Sequence, residues 1–146
     1  MIVRTVLAFV GTIAFALLFG VPRKYFISCG FIGGAGWLLY EALMAYAGAT
    51  ATEATFFATV LVILLSRMRA VRERCPVTVF LISGIFPLVP GAGIYWTSYY
   101  LVTGQMRLAA SSGFAAVKAA IAIVLGIVFV FESPNGFFRM LEGKQR

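Results

Sequence analysis

The sequence predicts an all-α integral membrane protein of five transmembrane helices, the fourth of them discontinuous between Pro87 and Gly93. Three observations lead there. Hydrophobic residues fill 62% of the 146 positions and charged residues only 12%, a balance far from that of a soluble domain. The apolar residues gather into successive runs of about 20, the length that crosses roughly 30 Å of hydrocarbon, and continuous runs suit helices rather than the alternating strands of a barrel. The third is VTVFLISGIFPLVPGAGIYWTSYYLVTG, residues 77–104, a membrane-length stretch interrupted by Pro87, Pro90, Gly91 and Gly93. A helix that gives up backbone hydrogen bonds in hydrocarbon leaves groups that protein, water or a solute must satisfy, so such breaks tend to mark permeation or binding sites.

Spans are expected at residues 5–21, 25–47, 54–66, 77–103 and 110–131. The first places Arg4 ahead of an apolar stretch and the triplet Ala14-Phe15-Ala16, which has the look of a signal peptide with its cleavage site. Export of Arg23 and Lys24 would run against the charge bias of everything downstream, so a retained helix is the preferred reading. In the second span Gly30, Gly34, Trp37 and Glu41 follow spacings of four, three and four and share one face, and the two glycines invite a neighbouring helix onto it. The third runs only from after Glu53 to before Arg67 and is expected to borrow flanking residues or thin the bilayer. The fourth divides at PLVPGAG, close to mid-bilayer at about 1.5 Å per residue. The fifth holds Lys118 in GFAAVKAAIAIVLG, among small residues suited to close packing.

With five crossings, Arg23, Lys24, Arg67, Arg69, Arg72, Arg74, Arg139, Lys144 and Arg146 fall on one side and Arg4 and Arg107 on the other. The positive-inside rule then sets the N-terminus outside and the C-terminus in the cytosol. A re-entrant hairpin at residues 77–103 would move Arg107 and the tail and leave a weaker bias of seven to four. The net charge of +7 is thus a matter of topology, and nucleic acid is not an expected partner. Connections are short and no strong repeat is visible, so residues 1–146 read as a single transmembrane domain in the bilayer of the cell membrane.

At the break the prolines remove donors and free upstream carbonyls, while the glycines let a backbone or a small solute come close. The hydroxyls of Tyr95, Thr97, Ser98, Tyr99 and Tyr100 follow within two turns and suit a small polar substrate. Pro87, Pro90, Gly91, Gly93, Tyr95, Thr97 and Ser98 form the expected substrate pathway. The plainer alternative is a kinked helix whose free groups neighbours satisfy, with Tyr95, Trp96, Tyr99 and Tyr100 as an outer aromatic belt. Glu41 and Lys118 are costly charges within a bilayer; they are expected to form an intramembrane pair, against the alternative of two groups snorkelling separately to the outer interface. The string RMRAVRERC, residues 67–75, suits anionic lipid or a partner subunit, although cytosolic retention explains it as well. Cys29 and Cys75 lack metal-ligand spacing, histidine is absent, and Glu41, Glu53, Glu73, Glu132 and Glu142 make no acid–base or metal motif. Neither catalysis, a metal nor another cofactor is expected.

Through PVTVFLISGIFPLVPGAGIYWTSYYLVTGQ, residues 76–105, the chain resembles the threonine/serine exporter family, in particular its short subunit of five helices. The likeness extends back through GFIGGAGWLLYEAL, residues 30–43, and forward into KAAIAIVLGI, residues 118–127. It implies a secondary exporter of small hydrophilic metabolites, with threonine and serine as the name-giving substrates and dicarboxylates such as succinate linked to some two-component relatives. In fused members a longer N-terminal half precedes a half like this one. A separate, larger subunit is therefore the implied partner, and self-association through the face of Gly30 and Gly34 is a further expectation. The family motif falls on Pro87, Pro90, Gly91 and Tyr95 and implies no role for Glu41 or Lys118. No nucleotide-binding motif is present, so an ion gradient is the expected driving force. Competing readings are a membrane scaffold that transports nothing and a channel-like homo-oligomer.

Overall fold

The computed structural model describes residues 2–132, in which every regular element is helical. The helices are α1 (Ile2–Leu18), α2 (Phe26–Tyr46), α3 (Ala51–Glu73), α4 (Thr78–Ile85), α5 (Gly91–Val102) and α6 (Met106–Glu132), with 3-10 turns at Arg23–Tyr25 and Phe86–Leu88. Arg139, Glu142, Lys144 and Arg146 lie outside the described residues.

The helix ends follow from local chemistry. After α1, Gly20 adopts a left-handed φ of +69°, its amide donates to the Leu17 carbonyl, and the Val21 amide donates to the Ala16 carbonyl. This is the Schellman pattern, and Pro22 then prevents continuation. α3 begins with a reciprocal capping box, in which Thr50 accepts from the Glu53 amide and Glu53 accepts from the Thr50 amide. It ends at Arg74, a non-glycine residue at φ 52°.

That cap corrects the expected third span. The short stretch 54–66 is the middle of a 23-residue helix, which starts upstream at the capping box and runs through Arg67, Arg69 and Arg72. Arginine is a good helix former, and Arg69 meets Glu73 one turn on at 3.6 Å. The basic string is therefore mostly helix rather than loop.

α2 lies at the centre of the bundle. α1 packs on one side of it and α3 on another, α4 rests on α2 and α3, and α6 lies along α3. Small residues set these approaches: Gly33 faces Thr12 of α1, Gly36 faces Val62 of α3, and a Cβ on Gly84 would come 2.9 Å from Ile32. In hydrocarbon such contact is worth more than apolar burial as such, because lipid tails are as apolar as the side chains. The α3–α6 contacts advance together: Thr52 and Lys118 line one cavity, Thr59 meets Gly126, and Arg67 donates to the Val130 carbonyl at 3.0 Å. The two helices therefore run side by side in the same direction.

Among the described residues three helices are long and apolar enough to cross a membrane, namely Arg23–Tyr46, Ala51–Glu73 and Met106–Glu132. The pair Thr78–Leu88 and Gly91–Val102, bent by 49°, makes a fourth when taken as one span. α1 is apolar and, at 17 residues, about 25 Å long.

Candidate functional site

The break in the fourth span is a short series of tight turns. Pro87 and Pro90 carry no amide hydrogen, so the α-helical ladder cannot pass through them. The Val89 amide donates to the Phe86 carbonyl at 3.1 Å, and the Gly91 amide to the Val89 carbonyl at 2.7 Å. With Pro90 at φ −74° and ψ 52°, the second bond closes an inverse γ-turn. α5 starts at once, and its first-turn amides at Ala92 and Gly93 have no backbone partner among the described residues.

α1 lies over this break, with the Phe15 ring stacked on Phe86 at 3.8 Å between centroids. Beside that stack is a cavity of about 310 Å³ whose walls include Arg4, Leu7, Gly11, Trp37 and Pro87. A second cavity, of about 510 Å³, is walled by Arg4, Trp37, Tyr40, Glu41, Met44 and Ala45. Arg4 and Trp37 wall both, so the two cavities lie side by side and make up a groove with Pro87 at one side and Glu41 at the other. At its far end the Glu41 carboxylate, its side chain only 9% exposed, meets the Arg4 guanidinium at 3.4 Å, while Arg4 is 74% exposed. The Trp37 indole N–H is buried with no hydrogen-bond partner among the described residues, and its ring packs on Tyr40.

Comparison with known proteins identifies the family. The family profile described as Threonine/Serine exporter, ThrE, matches residues 4–131. The chain belongs to the threonine/serine exporter family. It is accordingly a multi-pass membrane protein of a transporter family rather than of an enzyme family. No curated protein and no solved structure matches the chain.

In this exporter-family chain the residues expected to form the pathway have separate surroundings. Pro87 lines the groove. Gly93 is a packing position, since a Cβ there would lie 3.0 Å from that of Ala116 on α6, whereas Gly91 has open space around it. Close approach of another backbone therefore applies to one glycine of the two. The hydroxyls of Thr97 and Ser98 donate to the carbonyls of Gly93 and Ile94 at 2.7 and 3.1 Å, and Thr97 also packs against Gly113. Tyr95 is exposed on α5 beside Trp96 and Tyr99. Gly30 and Gly34 lie under Phe9 of α1, so the face expected to serve self-association is covered from within the chain.

Glu41 and Lys118 are not brought together. Glu41 faces α1 and meets Arg4, while the Lys118 ammonium sits over the Phe114 ring at 5.2 Å, against a different cavity of about 270 Å³ that includes Glu53. The cause is the helix order: the Glu41 face of α2 is turned to α1, whereas α6 lies along α3. Arg4 is the residue that sequence reasoning passed over, having counted only as a topological charge. A signal existed, because folding the first two helices back about the Gly20–Arg23 turn sets Arg4 opposite Glu41 just as it sets Thr12 opposite Gly33.

Proposed function

We propose that this chain is one half of a secondary transporter that exports small hydrophilic metabolites of the threonine/serine type across the cell membrane. The observation that carries the proposal is the bent fourth span opening, at Pro87, onto a groove that ends in the Arg4–Glu41 pair. Released backbone groups and a charged groove offer a polar solute what hydrocarbon cannot.

The proposed topology has five crossings, with the N-terminus outside and the C-terminus cytosolic. The shared direction of α3 and α6 supports it, because a fourth span must return the chain between them. A 49° bend is far from a reversal. A larger subunit completes the transporter in this proposal; α5 has no buried residue, and a second half would offer it a surface. Dicarboxylates remain the alternative cargo.

Vesicles carrying this chain with and without the larger subunit test the proposal by counterflow of serine, threonine and succinate. Saturable exchange is expected only when both subunits are present. Exchange by this chain alone would refute the need for a partner, and none under either condition would favour a scaffold. In a background lacking Cys29 and Cys75, Arg72→Cys and Gln105→Cys should label from opposite faces. Labelling from the same face would reject the fourth crossing.

A further inference from the structure

Resting on the exporter reading, we propose that Arg4, Trp37 and Glu41 form a binding station for a zwitterionic α-amino acid, with its carboxylate on Arg4 and the Trp37 N–H and its ammonium on Glu41. The station would favour such a zwitterion over a dicarboxylate.

The chemistry follows from the imbalance within the pair. A carboxylate as covered as that of Glu41, on a membrane-spanning helix, needs a cation beside it. Arg4 supplies one from a side chain that is itself largely exposed, so that it can turn to another partner without leaving a packed site. A zwitterion entering between them restores both contacts: its ammonium replaces the guanidinium at Glu41, and its carboxylate takes the released guanidinium. Charge stays balanced at every stage.

The Trp37 N–H supports an acceptor at this place. Buried donors are nearly always satisfied, yet this one has no partner among the described residues and its side chain lines both parts of the groove. A carboxylate held by Arg4 would give it one once the indole turns its N–H, closed off in this structure, toward the groove. Tyr40, Met44 and Ala45 complete the wall and offer a mostly apolar surface to a small side chain. A dicarboxylate carries no ammonium and would set its second carboxylate against Glu41, an arrangement of like charges that is repulsive at short range.

The full chain in nanodiscs, with Trp96→Phe, leaves Trp37 as the single tryptophan of the two in the sequence and makes its emission the readout. L-serine should produce a saturable change. Ethanolamine, which lacks the carboxylate, 3-hydroxypropionate, which lacks the ammonium, and succinate should each bind at least tenfold more weakly. Arg4→Gln should erase the preference for serine over ethanolamine while keeping that over 3-hydroxypropionate; Glu41→Gln should do the reverse, and Arg4→Lys should restore part of the first preference. A pair with a purely structural role would shift every ligand alike or none. That result, or the absence of a saturable serine response, overturns the station. If Glu41→Gln fails to insert, the Arg4 variants decide alone. Ligand discrimination without counterflow would count against the exporter reading and leave the station standing. Counterflow with an unaltered serine-to-ethanolamine preference in Arg4→Gln would do the opposite.

Discussion

The two halves of the broken helix share a sequence neighbourhood and little else. α4 is wedged among α1, α2 and α3, with Phe80, Ser83 and Gly84 buried, whereas α5 has no buried residue and packs chiefly on α6. The break is thus a joint between a body packed among three helices and an arm packed chiefly against one. A simple kink would leave both sides packed alike. Since lipid already surrounds apolar surface, what holds α4 is interdigitation with its neighbours, and glycine substitutions on either side of the joint measure that difference.

The largest effect on stability is expected in the body. A Cβ on Gly84 would come 2.9 Å from Ile32 and 3.3 Å from Val62, both on helices that are themselves fixed. Gly84→Leu should cost about 2–3 kcal/mol, the upper part of the range for overpacking, read as a fall in thermal unfolding temperature in detergent. A change below about 0.5 kcal/mol, the level of surface substitutions, would mean that the body yields and that the contrast with the arm is false.

The sequence made the joint legible and left the neighbours hidden. Two prolines within four residues dictate a break in any helical context, so its position could be read from residues 87–93 alone. The length of α3 could not, because arginines near a membrane surface read as loop until the Thr50–Glu53 box and the Arg69–Glu73 pair show where the helix begins and how it continues. Partner choice was the least legible. Glu41 was recognisable as a costly charge, but whether Arg4 or Lys118 answers it depends on which helix covers which face of α2, and periodicity within one helix carries no such information.

A middle effect is expected within the arm. A Cβ on Gly93 would lie 3.0 Å from that of Ala116, and among the described residues the large contact at risk is that between α5 and α6. Gly93→Leu should cost about 1 kcal/mol, the lower part of the overpacking range, by separating two helices of which one is mostly exposed. Combined with Gly84→Leu the losses should add within about 0.5 kcal/mol, as they do for sites without shared partners. Strong coupling in that double-variant cycle would show that α4 and α5 respond as one rigid helix.

The smallest effect on stability belongs to Gly91, and it isolates passage from packing. Nothing lies within 4 Å of a Cβ there, and its φ is outside the left-handed region, so neither sterics nor backbone strain opposes a side chain. Gly91→Ala and Gly91→Leu should both stay within about 0.5 kcal/mol of the parent, with insertion and assembly unchanged. If the open space beside Pro90 belongs to the solute's route, the leucine side chain fills it, and transport should fall at least tenfold while Gly91→Ala keeps most of it. Normal transport by Gly91→Leu would place the route away from the joint. A loss of transport accompanied by a loss of assembly would instead mean that α5 is held more firmly than its exposure indicates, and the distinction between body and arm would fail where it is most easily tested.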